Sequence, residues 1–352
     1  MKVALLSPLP PPAGGIAAWT KEAVAFFSEN DMEVRVINNA VVGKRRQNFT
    51  AKTTLFDEIS RTRSILRSLK RTLKVFQPDI LHLNTSCGAF GMYRDLLCMR
   101  MAKKRRVPCV LHCHCDVQNE VRNLLNLRVF RRMVQEADVT LVLNEHALRL
   151  TEPLAPDKVL KTANFIAPRV SAMRKEVSPE IHRAVFVGHV RRSKGCFEII
   201  EAARRCPEVE FILVGPIDRE IIAVLRPENV ILTGEKPRYE VQTYLENADV
   251  FLFPSYSEGF SRALLEAMQC GLPVIATDVG ANAEMLGETG GILVPVGDAN
   301  AIVKALSTLQ DPKLREKMAE RNREKVENCY LREPVMRQIL CAYEAVLKER
   351  SP

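Results

Sequence analysis

Two carboxylates eight residues apart are well placed in this sequence to grip one extended ligand. Glu258 lies in a turn of small and polar residues after an apolar run that ends at Phe253. Glu266 follows about two helical turns later, roughly 12 Å along a helix. That helix is predicted to begin near Phe260, so its N–H groups and positive dipole end point at the same ligand. Spacing alone leaves open that Glu258 only caps the helix and Glu266 only lies on its surface.

Cations and glycines at two other strand ends could hold phosphate. Lys194 directly precedes Gly195 at a predicted helix start, where an anion is favoured. Arg191 and Arg192 stand in the same loop, either as phosphate ligands or as solvated loop charges. A glycine pair follows the first strand and opens the first helix, which is either a phosphate cradle or a tight turn. This pair is Gly14 and Gly15.

The segment from Leu111 to Asp116 alternates histidine and cysteine at a predicted strand end. His112 and His114 share one face of the strand, and the two cysteines share the other. Because no CxxC or HxxxH spacing accompanies them, we predict no metal site. His112 then suits a core position, and His114 a position at the strand end. Asn84 ends the preceding strand and could either line an acceptor pocket or cap a helix.

Short apolar runs alternate with helical periods, which predicts βαβ units around parallel sheets. The pattern runs once and then restarts, so we predict an α/β protein with two doubly wound, Rossmann-like domains and a final helix. The predicted boundaries are 1–165, 166–330 and 331–352, with a linker at 164–180. Strands are predicted near 2–6, 33–37, 79–83, 108–112, 138–143, 183–188, 209–214, 229–232, 249–253, 273–276 and 291–294. Helices are predicted near 16–29, 58–75, 91–105, 120–136, 144–151, 195–204, 218–225, 238–247, 260–270, 299–309 and 313–348.

Composition narrows the class of protein. A chain of 352 residues with 47% hydrophobic and 26% charged residues suits a soluble globular protein of two domains. It has no apolar run of membrane-spanning length and no signal-peptide pattern. Its 10 cysteines have no regular framework, which predicts reduced thiols and a cytoplasmic location.

Positive charge is concentrated in the first half. Residues 1–170 carry 27 Lys and Arg against 15 Asp and Glu, a net charge of +12. The predicted helix at 58–75 joins basic residues to an apolar stripe, so this domain either docks on an anionic membrane surface or carries a solvated face. Only 6% of residues are aromatic, and none forms a stacking motif, which argues against nucleic acid. The basic positions of that helix are Arg61, Arg63, Arg67, Lys70, Arg71 and Lys74.

The run from Glu258 to Asp278 closely resembles the E-x7-E signature of glycosyltransferase family 4. The first loop, the loop 187–195 and the turns at Gly215 and Gly234 also resemble that family in order and spacing. The resemblance covers nearly the whole chain. It implies the GT-B fold, with two Rossmann-like domains facing across a cleft and the last helix crossing back to the first domain. It also implies transfer with retention of anomeric configuration.

The resemblance also implies roles for individual residues. Glu266 would hold the donor ribose and Glu258 the transferred sugar, while Lys194 would pair with the diphosphate. His114 would reach the donor sugar. The amides of Gly259, Phe260 and Ser261 would face sugar hydroxyls or phosphate, with Gly14 and Gly15 also donor-binding. His189 stands where the family usually has arginine, so Arg191 or Arg192 would have to replace it.

We therefore expect a glycosyltransferase that uses a nucleotide-diphosphate sugar without a cofactor, since no Asp-x-Asp metal motif is present. The expected acceptor is a glycan or lipid-linked glycan of cell-surface polysaccharide synthesis. An epimerase or phosphorylase of the same fold is the main alternative. A nicotinamide dehydrogenase requires G-x-G-x-x-G after the first strand, which residues 14–19 lack. The glutamate pair argues against a non-enzymatic lipid- or glycan-binding protein.

Overall fold

A computed structural model describes residues 1–11, 14–40, 54–168 and 177–349 of the chain. The central part of the predicted linker, 169–176, lies outside these residues. The chain divides into two compact units. The first is Met1–Phe165 together with the chain from Arg332, and the second is Ile166–Leu331.

The first unit is built on a parallel sheet with the strand order β2-β1-β3-β4-β5-β6. Its four inner strands β1, β3, β4 and β5 are short runs that are almost fully buried, as strands covered on both faces require, whereas the edge strands β2 and β6 are partly exposed. The order reverses between β1 and β3, so the sheet is doubly wound. The strands are Lys2–Ser7 (β1), Glu33–Asn38 (β2), Ile80–Thr85 (β3), Cys109–Cys113 (β4), Val139–Val142 (β5) and Val159–Lys161 (β6).

Helices cover both faces of this sheet. Helices α2, α3 and α5 pack over one apolar core, and α1 and α14 pack over the other. The last helix of the chain is thus part of the first unit. The helices of this unit are Gly15–Glu29 (α1), Leu55–Val75 (α2), Ala89–Lys103 (α3), Val117–Glu120 (α4), Leu124–Glu136 (α5), Glu145–Thr151 (α6) and Arg332–Lys348 (α14).

The second unit repeats the architecture with the strand order β12-β11-β10-β7-β8-β9. All of its pairings are parallel, and the order reverses between β7 and β10. The strands are Arg183–Val187 (β7), Glu210–Val214 (β8), Val230–Gly234 (β9), Val250–Phe253 (β10), Val274–Thr277 (β11) and Gly291–Val294 (β12).

The helices of the second unit follow its strands in alternation. Together the two units confirm the predicted doubly wound α/β fold. No helix among the described residues is long and apolar enough to cross a membrane. The helices of this unit are Cys196–Arg205 (α7), Arg219–Ile222 (α8), Arg238–Asn247 (α9), Arg262–Gln269 (α10), Asn282–Leu286 (α11), Ala299–Thr308 (α12) and Pro312–Cys329 (α13).

Several predicted elements were wrong in detail. The helix predicted at 120–136 begins only at Leu124, because Asn123 caps α5, and Asp116 caps a separate short helix, α4, that was not predicted. The helix predicted at 313–348 is two helices, since the chain leaves helical geometry at Tyr330 and restarts at Arg332. The prediction omitted the three-residue strand β6 and the five-residue helix α11.

Candidate active site

Lys194 and Glu258 form an ion pair at the carboxyl edge of the second sheet. Lys194 Nζ lies 2.5 Å from Glu258 Oε1, and the two side chains are only 20% and 10% exposed. One residue follows β7 and the other follows β10, the two neighbouring strands at which the strand order reverses. Open parallel sheets bind ligands at such a point. The structure thus brings together two predicted site residues that are 64 positions apart.

The two loops can meet because Gly195 has no side chain. Gly195 has a φ of +72°, and a Cβ built there would lie 2.1 Å from the carbonyl oxygen of Pro254. The Tyr256 amide also donates to the Ser193 carbonyl over 3.0 Å. Glycine at this position therefore holds the cationic loop against the loop that carries Glu258.

The segment after β11 supports Glu258 from a different direction. The Ala281 amide donates to the Gly259 carbonyl over 3.0 Å. Gly280 has a φ of +58°, and a Cβ there would lie 2.1 Å from the carbonyl oxygen of Glu258. The buried Thr277 hydroxyl donates to the Ser255 carbonyl over 2.5 Å. Three successive strand ends thus fix the backbone on both sides of Glu258.

Helix α10 begins two residues later than predicted and has its own cap. The Ser261 hydroxyl accepts a hydrogen bond from the Leu264 amide at 3.3 Å, so Ser261 rather than Glu258 is the capping residue. Phe260 is nearly buried, edge-on to Tyr330. Glu266 lies on the helix with its carboxylate 3.9 Å from the Arg238 guanidinium. Capping therefore does not account for Glu258.

His114 lies at the carboxyl edge of the first sheet, just after β4. Its Nε2 is 3.0 Å from Asn84 Oδ1 at the end of β3. Its ring lies 3.9 Å from the His112 ring and 5.2 Å from the Trp19 indole, measured between centroids. The two histidines thus share a face, as predicted. The alternate residues Cys113 and Cys115 belong to the apolar core beneath α2, α3 and α5.

His82 and Tyr343 extend this cluster into the protein interior. His82 contacts Asn84 Oδ1 through Nε2 at 2.9 Å and the Tyr343 hydroxyl through Nδ1 at 2.5 Å. Burial lowers the pKa of His82 to about 4. Burial and the two neighbouring rings also hold the pKa of His112 well below its ordinary value of 6.5. Both buried rings are therefore neutral at physiological pH.

Gly14 and Gly15 stand where the first helix begins. Gly14 is the N-terminal cap position of α1 in extended backbone geometry, and Gly15 is the first helical residue. A Cβ built at either glycine meets no described atom within 4 Å, so packing among the described residues does not require glycine there. The same helix carries Trp19, which packs on His114. Within the described part of the chain, no atom fills the space beside these two glycines.

Comparison with known proteins identifies this arrangement. The model of the glycosyl transferases group 1 matches residues 174–325, and that of glycosyltransferase family 4 matches residues 13–160. The chain belongs to the group 1 glycosyltransferases. Its two doubly wound units are those of the GT-B fold, as the resemblance at the sequence level implied.

Individual glycosyltransferases agree with this assignment. TuaC of Bacillus subtilis, a glycosyltransferase ascribed to teichuronic acid biosynthesis, is 27% identical over 69% of this chain and 64% of its own length. The capsular polysaccharide biosynthesis glycosyltransferase CapM of Staphylococcus aureus is 28% identical over 47% of this chain and 46% of its own. Anabaena HepE, solved in complex with UDP-glucose, has the same fold, with a TM-score of 0.74 and 16% identity over 98% of this chain and 100% of that chain.

In this glycosyltransferase the basic residues of the loop after β7 have different surroundings from one another. His189 contacts Asp218, with 2.7 Å between Nε2 and Oδ1. Arg192 stacks on the Phe197 ring at 3.9 Å and lies 3.5 Å from Glu220, with most of its side chain exposed. Arg191 differs from both, because its Nε is buried and has no hydrogen-bond partner among the described residues. Of the two candidate arginines, Arg191 is therefore the one with unmet hydrogen-bonding capacity in this loop.

The prediction from sequence missed two residues of the polar cluster that extends inward from His114. His82 interrupts an otherwise apolar run in β3, and a histidine inside such a run is a signal for a polar cluster. Tyr343 lies on the last helix and was not among the predicted site residues. Its contact with His82 spans 261 residues of sequence, and no local pattern indicates it.

Proposed function

We propose that this glycosyltransferase moves a sugar from a nucleotide-diphosphate donor to a glycan or lipid-linked acceptor, with retention of configuration. The observation that carries the proposal is the partly buried Lys194–Glu258 ion pair at the reversal point of the second sheet. A nucleoside diphosphate leaves as an anion, so a fixed ammonium beside it stabilises the charge that develops in the transition state. A carboxylate beside the same point stabilises positive charge on the sugar ring.

The other residues of the second unit complete the proposed donor site. Arg191 supplies the second cation for the diphosphate, because its guanidinium has unmet hydrogen-bonding capacity. Glu266 holds the ribose hydroxyls from helix α10. The amides of Gly259, Phe260 and Ser261 at the start of that helix face the sugar or phosphate oxygens. Two protein cations supply the charge compensation, so we propose catalysis that does not depend on a divalent metal.

The proposed product class rests on the relatives. TuaC and CapM are described as glycosyltransferases of teichuronic acid and capsular polysaccharide biosynthesis, so we propose that this chain acts in cell-surface polysaccharide synthesis. The HepE complex makes UDP-sugars the first donors to test. In a retaining reaction the leaving phosphate can accept the acceptor proton on the same face of the sugar, which requires no separate protein base.

Product analysis tests the reaction type. Purified enzyme is incubated with UDP-, GDP- and ADP-sugars in the presence of EDTA, with and without a lipid-linked glycan acceptor. The proposal expects nucleoside diphosphate release that depends on the acceptor, and a new glycoside with the donor's anomeric configuration by NMR. An isomerised nucleotide sugar would indicate the alternative epimerase, and a phosphate-dependent sugar phosphate would indicate a phosphorylase. Lys194→Ala should lower kcat/KM about 10²-fold or more.

The first unit also presents a surface suited to an anionic membrane. Helices α2, α3 and α5 form one layer, and exposed apolar side chains stand in the first turns of all three. Phe56, Phe90 and Leu124 are 78%, 63% and 75% exposed. These first turns lie toward the carboxyl ends of the strands, because the helices run antiparallel to them. Exposed basic residues follow along the same helices, including Arg67, Lys70, Arg71, Arg131 and Arg132.

Exposed apolar and basic side chains on the same helices favour binding to an anionic lipid surface over a face that is only solvated. Apolar side chains that insert below the headgroups and cations that contact anionic lipid both contribute to peripheral binding, each Lys or Arg by about 1 kcal/mol. We therefore propose peripheral association with the inner face of the cytoplasmic membrane, where a lipid-linked acceptor would be met. Substitution of the exposed apolar residues Phe90 and Leu124 then distinguishes insertion into the membrane from purely electrostatic attraction to its surface.

Vesicle sedimentation tests this surface. Binding should rise with the fraction of anionic lipid and fall with salt, since the attraction is screened within about 8 Å at physiological ionic strength. Charge reversal at Arg67, Lys70 and Arg71 should abolish binding, and Phe90→Ser with Leu124→Ser should weaken it at constant charge. Donor hydrolysis should persist in both variants. Wild-type protein that stays in the supernatant at low salt would refute the proposal and favour a soluble acceptor.

A further inference from the structure

We propose that Glu258 makes the donor site discriminate between the intact nucleotide sugar and the nucleoside diphosphate that remains after transfer, and thereby promotes product release. Its carboxylate competes with the product diphosphate for the Lys194 ammonium and repels the phosphate charge that the departing sugar leaves behind. The inference rests on the proposed function, in which Lys194 binds the diphosphate. It gives Glu258 a second role, after the sugar has been transferred.

Lys194 and Glu258 depend on each other for their charge balance. Lys194 Nζ lies 2.5 Å from Glu258 Oε1, and both side chains are mostly buried. Within the ranges that the structure describes, neither side chain forms a second ion pair. Water screens charges only weakly where side chains are so little exposed. The carboxylate therefore reduces the attraction of this ammonium for any further anion.

The backbone around this ion pair leaves the carboxylate little room to withdraw. The Tyr256 amide donates to the Ser193 carbonyl over 3.0 Å, which joins the two loops that carry the charges. The Ala281 amide donates to the Gly259 carbonyl over 3.0 Å, which joins the Glu258 loop to the segment after β11. Only rotation about side-chain bonds can then separate the carboxylate from the ammonium.

A diphosphate bound to Lys194 is consequently close to Glu258. A charge-assisted hydrogen bond from an ammonium to a phosphate oxygen is about 2.8 Å long. While the ion pair persists, that phosphate oxygen lies no farther than about 5.3 Å from Glu258 Oε1, since the ammonium nitrogen is 2.5 Å from the same atom. If the diphosphate instead displaces the carboxylate, a mostly buried charge loses its partner, which is unfavourable. Glu258 opposes diphosphate binding in either case.

Sugar transfer changes the group that the carboxylate faces. The bond between the anomeric carbon and a terminal phosphate oxygen breaks, its electron pair stays on that oxygen, and the anomeric carbon forms a bond to the acceptor oxygen. The acceptor proton passes to the phosphate and then to water, because a terminal phosphate has a second pKa of about 6. The product therefore carries about one more negative charge than the donor at neutral pH. It also lacks the sugar hydroxyls that could donate to Glu258.

The two side chains thus act differently on the two ligands. The Lys194 ammonium attracts both, and it attracts the product more strongly because of the extra charge. The Glu258 carboxylate accepts hydrogen bonds from the sugar of the donor, whereas it only repels the product. Because product release limits the rate of many enzymes, a residue that weakens the product complex selectively favours turnover.

Calorimetry with the purified full-length enzyme in EDTA measures this discrimination. UDP, GDP and ADP are titrated separately, each alongside its glucose conjugate and without acceptor, at one ionic strength. Glu258→Gln removes the charge at nearly constant shape, and Glu258→Ala also removes every side-chain atom that could bind phosphate. Both variants should bind the nucleoside diphosphate about tenfold more tightly than the wild type does. The preference for the nucleotide sugar over the nucleoside diphosphate should fall by a similar factor.

Glu220→Gln is the matched control. Glu220 lies 3.5 Å from Arg192 of the same cationic loop, but the two side chains are 46% and 62% exposed. An exposed ion pair is screened by water and salt and contributes little. Removing this carboxylate should therefore leave both affinities close to those of the wild type.

The outcomes separate the inference from the proposed function. If the wild type binds a nucleoside diphosphate and neither Glu258 variant binds it more tightly, the inference is overturned while the donor site stands. Equal tightening for nucleoside diphosphate and nucleotide sugar would also overturn it, because Glu258 would then not discriminate. If no nucleoside diphosphate binds to any of the proteins, the proposed donor site fails and the inference fails with it.

Discussion

The same substitution at two adjacent arginines should affect the reaction at only one of them. Arg191→Ala removes a guanidinium whose Nε is buried without a hydrogen-bond partner among the described residues, at the strand end that carries Lys194. Arg192→Ala removes one that is 62% exposed and stacks on Phe197. The two substitutions are matched, because each removes a side chain of the same length and charge from the same loop. We expect only the first change to affect the donor.

The magnitudes follow from the contacts. A hydrogen bond to a charged phosphate is worth about 1.5–3 kcal/mol. Its loss at Arg191 should lower kcat/KM for the nucleotide sugar about 10- to 150-fold and weaken nucleoside diphosphate binding by a similar factor. At Arg192 the losses are a cation–π contact and an exposed ion pair, together about 1 kcal/mol of folding stability. Its kcat/KM should remain close to that of the wild type.

Steady-state kinetics with the donor varied, and calorimetry with the nucleoside diphosphate, measure the two effects. Arg191→Lys adds a graded control, because it keeps the charge but loses the planar fork that suits phosphate. A tenfold loss in Arg192→Ala together with wild-type kinetics in Arg191→Ala would refute the assignment. The exposed arginine would then have to leave Phe197 and turn toward the donor.

Four further substitutions test other parts of the protein. Glu266→Ala should weaken nucleotide binding by about 1.5–3 kcal/mol if its carboxylate holds the ribose, and an unchanged donor KM and nucleotide affinity would remove it from that role. Gly280→Ala and Gly287→Ala should each cost about 1–3 kcal/mol of stability at positive φ. Only the first should lower kcat/KM, because its Cβ would lie 2.1 Å from the carbonyl oxygen of Glu258, whereas a Cβ at Gly287 meets nothing within 4 Å. The pKa of His82 is about 4 in the folded protein against 6.5 for the ordinary group, so its neutral form contributes about 3 kcal/mol above pH 6.5 that is lost as pH falls toward 4. Denaturant titrations across that range should show the decline, and His82→Gln should flatten it.

The elements of the fold were largely predictable because their signals are local. Most buried strands were predicted to within two residues, since a parallel sheet demands short apolar runs between helical periods. The errors fall where the local signal is weak or was given too little weight. Strand β6 has three residues, too few for a period. The break before α14 was signalled by Pro334 in its first turn, where proline commonly stands in a helix.

The contacts within the candidate site were much less predictable. Glu258 was found by its spacing, but its pairing with Lys194 depends on how closely two loops approach at Gly195. Asn84 was predicted either to line an acceptor pocket or to cap a helix. Besides its strand neighbour His82, it contacts Ser7 and His114, which lie in two distant segments of the chain and are not indicated by any local pattern. Side-chain partners far apart in sequence require coordinates.

The division of the chain, in which the second unit interrupts the first, has a consequence for synthesis. Helix α14 covers the face of the first sheet that also carries α1, yet it is translated after the whole of Ile166–Leu331. Domains tend to fold as they leave the ribosome. The second unit can therefore fold while that face of the first sheet still lacks Val335, Met336 and Ile339. A chain released before Arg332 would join a complete second unit to a first unit with an uncovered apolar sheet, a species prone to aggregation.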